Sequence, residues 1–191
     1  MSDDNENTNF VWAVFDNKDA AIDAGKALKK WDKADKEIKL GAIGVLHVTK
    51  KGKLKVKKMG PRTTGKGALW GAVAGGLVAI FAPAALIGGA IAGGLAGGAL
   101  GAFHKEGLGL SDEQKDDIKA NLDGGKGLLI VLVDDDVLDD TKAELVKLGG
   151  DTQSSQANVE EIENADETMA EAGVQADVQP VTDAPADADA E

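Results

Sequence analysis

The chain has 191 residues with a formal net charge of −12, is 43% hydrophobic and 4% aromatic, and contains no cysteine and two histidines. Disulfides and thiolate metal sites are thereby excluded, and little is left for nucleophilic or acid–base catalysis. The charge imbalance is local: 12 of the 33 acidic residues lie between Gly149 and Glu191, where there is no Lys or Arg, so the preceding body carries 21 of each sign.

The first nine residues, MSDDNENTN, are polar and acidic and lack an apolar h-region, so a secretory leader is not expected and residues 1–9 read as a disordered N-terminus. From Phe10 to Phe15 the run FVWAVF reads as a buried strand, with Asp16 and Asn17 supplying a helix cap after it. A helix from Asp19 to about Trp31 follows, with Ala21, Ala24, Gly25, Leu28 and Trp31 on one face. A second strand covers about Ala42 to Val48. After a turn at Lys51-Gly52, Leu54 and Val56 alternate with Lys53, Lys55 and Lys57, as expected of a half-exposed strand paired to the second.

Gly67 to Phe103 carries no charged, amide or hydroxyl side chain and repeats glycine every fourth residue. Gly67, Gly71 and Gly75 form one series; Gly89, Gly93, Gly97 and Gly101 form another beyond Pro83. Residues four apart share a helix face, so each series is expected to form a packing seam where another backbone approaches closely. Leu69, Val73, Leu77 and Phe81 in the first arm, and Ile87, Ile91 and Leu95 in the second, fall on the opposite side as a lipid-facing ridge. As ideal helices the arms would be about 24 and 30 Å long, at or just below the thickness of a bilayer core. Arg62 and Lys66 precede the segment and His104 and Lys105 follow it, so the positive-inside rule favours a re-entrant hairpin with both ends on the cytoplasmic side. A buried hairpin in a soluble oligomer is the competing reading.

Beyond the segment, Ser111 and Gln114 form a capping box opening a helix whose Ile118 and Leu122 face inward. Leu128 to Val133 is an unbroken apolar strand. Asp134 to Asp136 lead, as helix caps, into a last helix carrying Leu138, Leu145 and Leu148 and stopped by Gly149-Gly150. Residues 151–191, rich in Ala, Asp, Gln and Thr, are expected to be a disordered acidic tail. The order β-α-β-β-[hairpin]-α-β-α gives an α+β fold over residues 10–150, a ferredoxin-like split β-α-β sandwich with two helices on one sheet face, interrupted at 67–103 by the glycine-zipper hairpin.

With FVWAVF near the N-terminus, a lysine hairpin, the GKGALWGAVAGGLVAI stretch, the glycine-rich second arm and the closing LLIVLV strand, the chain resembles the DUF1269 family of small bacterial and archaeal proteins of unknown function between about Asn9 and Gly150. The resemblance implies membrane association and no catalytic residues.

Other chemistry is thinly supplied. His47 and His104 have no Ser or Asp partner at a catalytic spacing. A magnesium site at Asp134, Asp135 and Asp136 with Asp16 is disfavoured, because adjacent antiparallel first and last strands would put Asp16 and Asp134 at opposite ends. Gly124-Gly125-Lys126-Gly127 precedes a strand and reads as a turn, not a phosphate loop. Lys50, Lys51, Lys53, Lys55, Lys57 and Lys58 put six positive charges in nine residues, suited to an anionic membrane surface; without aromatic residues to stack on bases, nucleic acid is not expected. No cofactor or metal is expected. The chain reads as a non-enzymatic membrane protein that self-associates through the glycine seam and displays a cytoplasmic domain. The alternative is a soluble homo-oligomeric scaffold whose acidic tail recruits a basic partner.

Overall fold

A computed structural model describes residues 8–34, 38, 40–50, 54–59, 108–158 and 178–180. The seam and ridge residues of the expected hairpin, with Lys51, Lys53 and His104, lie outside the described residues. The fold is α+β. Its strands are β1 (Thr8–Phe15), β2 (Ala42–Val48), β3 (Leu54–Lys58), β4 (Gly127–Asp134), β5 (Asp151–Ala157) and the short β6 (Val178–Pro180); its helices are α1 (Lys18–Ala34), α2 (Asp112–Asp123) and α3 (Leu138–Lys147). Five strands form an antiparallel sheet in the order β5-β1-β4-β2-β3, and β6 extends it by pairing parallel to β3.

Most of the local signals for the helices act as read. Asn17 Oδ1 accepts from the backbone N–H groups of Asp19 and Ala20, capping α1. Ser111 and Gln114 form the capping box of α2. At the end of α3, Gly149 at φ 88° lets its own N–H reach Val146 O and that of Gly150 reach Leu145 O, the paired bonds of a Schellman stop. Gly125 at φ 80° closes α2 in the same way, so Gly124 to Gly127 is a turn into β4.

The sheet departs from the expected architecture in two respects. In a ferredoxin-like sheet the third strand lies between the first two; here β4 takes that place, pairing with β1 along Thr8↔Asp134 to Phe15↔Gly127 and with β2 along Ala42↔Leu132 to Leu46↔Leu128, while β3 stays outside β2. The helices also cover both faces. Phe10, Trp12, Val14, Leu128, Ile130 and Leu132 pack with Ile118 and Leu122 of α2, whereas Val11, Ala13, Phe15, Leu129, Val131 and Val133 pack with Leu28 of α1 and Leu145 of α3. Alternate side chains of β1 and β4 thus serve two cores, and every residue from Thr8 to Phe15 is buried. Two right-handed crossovers, β1-α1-β2 and β3-α2-β4, would have put α1 and α2 on one face of this strand order, so only one of the pair follows the usual hand.

The domain is also longer than expected at each end. Thr8 and Asn9 belong to β1, and Asp151 to Ala157 form β5, paired with the outer side of β1 from Thr8↔Ala157 to Val14↔Asp151. A polar sequence, DTQSSQA, can hold this position because an edge strand gets its stability from backbone bonds and keeps much of its surface in water.

Candidate functional site at the lysine edge of the sheet

Strand β3, outside β2, is where the charged sequence feature and the apolar segment meet, and the register decides where each lysine goes. Lys55 pairs with His47, Lys57 with Val45 and Lys58 with Gly44. Val45 belongs to the core under α1, so Lys55, Lys57 and His47 share that face, while Val56, and with it Lys58, belongs to the α2 side. Lys50 is exposed on the turn at the far end of the hairpin. The six lysines read from the sequence as one patch are therefore divided: the described four occupy two faces and the length of a strand pair, about 20 Å over the seven residues of β2.

His47 is half-buried among these cations, and its Nδ1 is buried with no hydrogen-bond partner. Burial, and then the positive charges of Lys18, Lys55 and Lys57, push its pKa down from 6.5 to about 4, with Asp19 pulling weakly the other way. It is a neutral ring at physiological pH, in keeping with a structural residue.

The ends of the apolar segment are fixed by described neighbours. Met59 leaves β3 with its N–H donating to Ile43 O at 2.8 Å and its side chain buried against Gly25, where a Cβ would meet Met59 Sδ at 2.6 Å. Leu108 enters the α2 core with its carbonyl accepting from Ser155 Oγ at 2.6 Å. Ser155 pairs with Phe10, Phe10 with Leu132 and Leu132 with Ala42, so Met59 and the Ser155 that holds Leu108 lie at the same end of the sheet, four strand spacings or about 19 Å apart. Next to Leu108, Gly109 at φ 64° passes so near the Gln156 carbonyl that a Cβ there would overlap it.

The helix capping expected of the aspartates at the end of β4 is not made by their side chains. No side-chain cap bond is made by Asp134 at the 3₁₀ turn Asp135–Val137, and Asp135 instead accepts a 2.6 Å hydrogen bond from Asn9 Nδ2, tying the start of β1 to the end of β4. Asp16 follows Phe15 at the opposite end of the sheet, as the antiparallel pairing of β1 and β4 requires. Among the described residues no group of three acidic or histidine side chains could hold a metal, and no helix is long and apolar enough to cross a membrane; neither statement reaches residues 67–103. The polar strand β5 and the pairing of β6 with β3 are features that sequence reasoning missed. Their sequence signal is slight, one β-prone residue in each, Thr152 in β5 and Val178 in β6.

The family model described as a protein of unknown function, DUF1269, matches residues 66–170, and the chain belongs to that family. The match begins at the apolar segment and runs through α2, β4, α3 and β5, beyond the Gly150 limit of the resemblance seen in the sequence. No curated protein and no solved structure matches the chain.

Proposed function

We propose that this DUF1269 protein is a non-enzymatic membrane-associated protein in which residues 67–103 insert as a glycine-lined helical hairpin and drive self-association, holding the α+β domain on the cytoplasmic side. The observation that carries the reading is the common sheet end of Met59 and Leu108. A segment that starts and finishes at one end of a rigid domain must cross a bilayer an even number of times or not at all, and a hairpin meets that condition. The spacing of about 19 Å between the two exits leaves room for a pair of helices packed at 8–10 Å, with short connections on either side.

In this orientation the end of the sheet carrying Met59 and Leu108 faces the bilayer. Lys57 and Lys58, beside that exit, are the lysines suited to anionic headgroups, while the Lys50 turn points away. The glycine seam supplies the self-association, because lipid offers no hydrophobic drive between helices and close backbone packing replaces it.

Carbonate washing of membranes from cells expressing the full chain tests this. The protein is expected to stay in the pellet and to be released by detergent as an oligomer. Release by carbonate alone as a soluble assembly would replace the membrane reading with the scaffold one.

A further inference from the structure

We propose that the outer edge of β3 is a strand-addition site for the chain's own acidic tail, which occupies it in parallel and competes with an anionic lipid surface for Lys57 and Lys58. The proposal rests on the membrane reading for its competitor, but not for the docking itself. Three observations converge on it.

The first is the pairing of β6 with the half of β3 that adjoins the exit of the apolar segment, Val56↔Val178, Lys57↔Gln179 and Lys58↔Pro180. The lysines it runs beside are therefore those nearest the proposed bilayer, not Lys50. Pro180 has no N–H and ends the ladder, so the added strand is short and readily displaced.

The second is charge. Asp177 precedes β6 in the sequence and Asp183, Asp187, Asp189 and Glu191 follow it, with no cation anywhere from Gly149 onward, so an anionic segment is delivered to a cationic strand. Lysines that protect an open edge from pairing with other chains thus recruit one particular strand.

The third is reach. From Ala157 at the end of β5 to Val178 the chain must pass across the sheet from one edge to the other, five strand spacings or about 24 Å. Twenty residues separate the two strands in the sequence, and a chain of that length reaches at most about 66 Å, so the tail's own edge is well within reach and its effective concentration there is high. Occupancy within one chain is therefore favoured over exchange between copies.

The test compares the full chain with a variant ending at Asp177, which keeps β5, and with a full-length variant carrying Asp177→Asn, Asp183→Asn, Asp187→Asn and Asp189→Asn. Hydrogen exchange on β3 reads the docking directly. The amides of Val56 to Lys58 that face β6 should exchange faster in the shortened variant, while β4 amides stay unchanged. Equal exchange on β3 in the full chain and the shortened variant would overturn the docking, whatever the membrane results.

Binding to vesicles of phosphatidylcholine with phosphatidylserine, against phosphatidylcholine alone, reads the competition. Both variants should bind the anionic vesicles about tenfold more tightly than the full chain at low salt, with the gain shrinking at physiological salt and absent on neutral vesicles. An equal gain on both vesicle types, or none on the anionic ones, would overturn the competition. No binding of any variant to either vesicle, with β3 exchange still altered, would sink the membrane reading and the competition together while leaving the tail as the occupant of the β3 edge.

Discussion

At the scale of single residues, two positions have consequences that can be measured. His47 has a folded pKa of about 4 against an ordinary 6.5, so between those values the unfolded chain takes up a proton that the folded one refuses. Stability is held above pH 6.5 and lost as the pH falls toward 4. The full shift would amount to a few kcal/mol, which the partial exposure of the ring reduces to about 1 kcal/mol. His47→Gln should flatten the dependence of urea-unfolding stability on pH in that window; an unchanged slope would mean that the ring titrates normally. Gly127 shows the cost of close approach. A Cβ there would meet Asn17 O at 2.7 Å and Lys18 Cα at 2.9 Å, backbone atoms that cannot swing aside. Gly127→Ala is expected to destabilise by about 2 kcal/mol or more. Gly125→Ala, at φ 80° but with open space around it, should cost about 1 kcal/mol. The reverse order in chemical denaturation would show that the start of α1 yields more easily than this packing implies.

At the scale of elements, β5 decides where the domain ends. Its ladder with β1 covers the edge of a strand whose every residue is buried. A chain stopped after Gly150 loses that cover, whereas one stopped after Asn158 keeps it. The longer truncation product should melt within a few degrees of the full chain, and the shorter should fall by more than about 10 °C or fail to fold. Equal melting temperatures would reduce β5 to an appendage. The same comparison governs any study of the acidic tail, because a cut at Asp151 removes a structural strand along with the charge. Element order and element placement also part company here. The sequence β-α-β-β-α-β was legible from periodicity and caps, but β3 stayed outside β2 and β4 entered between β1 and β2, since the run LLIVLV can bury both faces and LKVKK cannot.

At the scale of the whole molecule, both exits of the apolar segment share one end of the sheet, so labelling from one side of a membrane can test the arrangement. The chain has no cysteine of its own, so single introduced thiols report cleanly. Val146 is 60% exposed on α3 and Pro83 stands between the two arms of the apolar segment. In sealed vesicles, Val146→Cys should react with an impermeant maleimide from the domain's side only, and Pro83→Cys should be unreactive from that side. Equal labelling of the two from the same side would show that the segment does not enter the bilayer.

The sequence by itself determined the local structure: where helices begin and stop, because caps and glycines act within a few residues, and which strands are buried, because an unbroken apolar run has no polar side to offer water. FVWAVF and LLIVLV in fact carried the signal for a sheet covered on both faces, since a sheet with one free face would show alternation along its strands. It also identified the family, through a glycine-rich segment and the closing LLIVLV strand, both of which lie within the matched residues 66–170. Only the tertiary structure decided what depends on pairing between distant segments. Strand order, the opposite faces of α1 and α2, the recruitment of DTQSSQA into the sheet and the division of the lysines all follow from register, and register is set by which backbones meet across the sheet. Composition could not announce β5 or β6, because an edge strand draws its stability from its partner's hydrogen bonds and needs little hydrophobicity of its own.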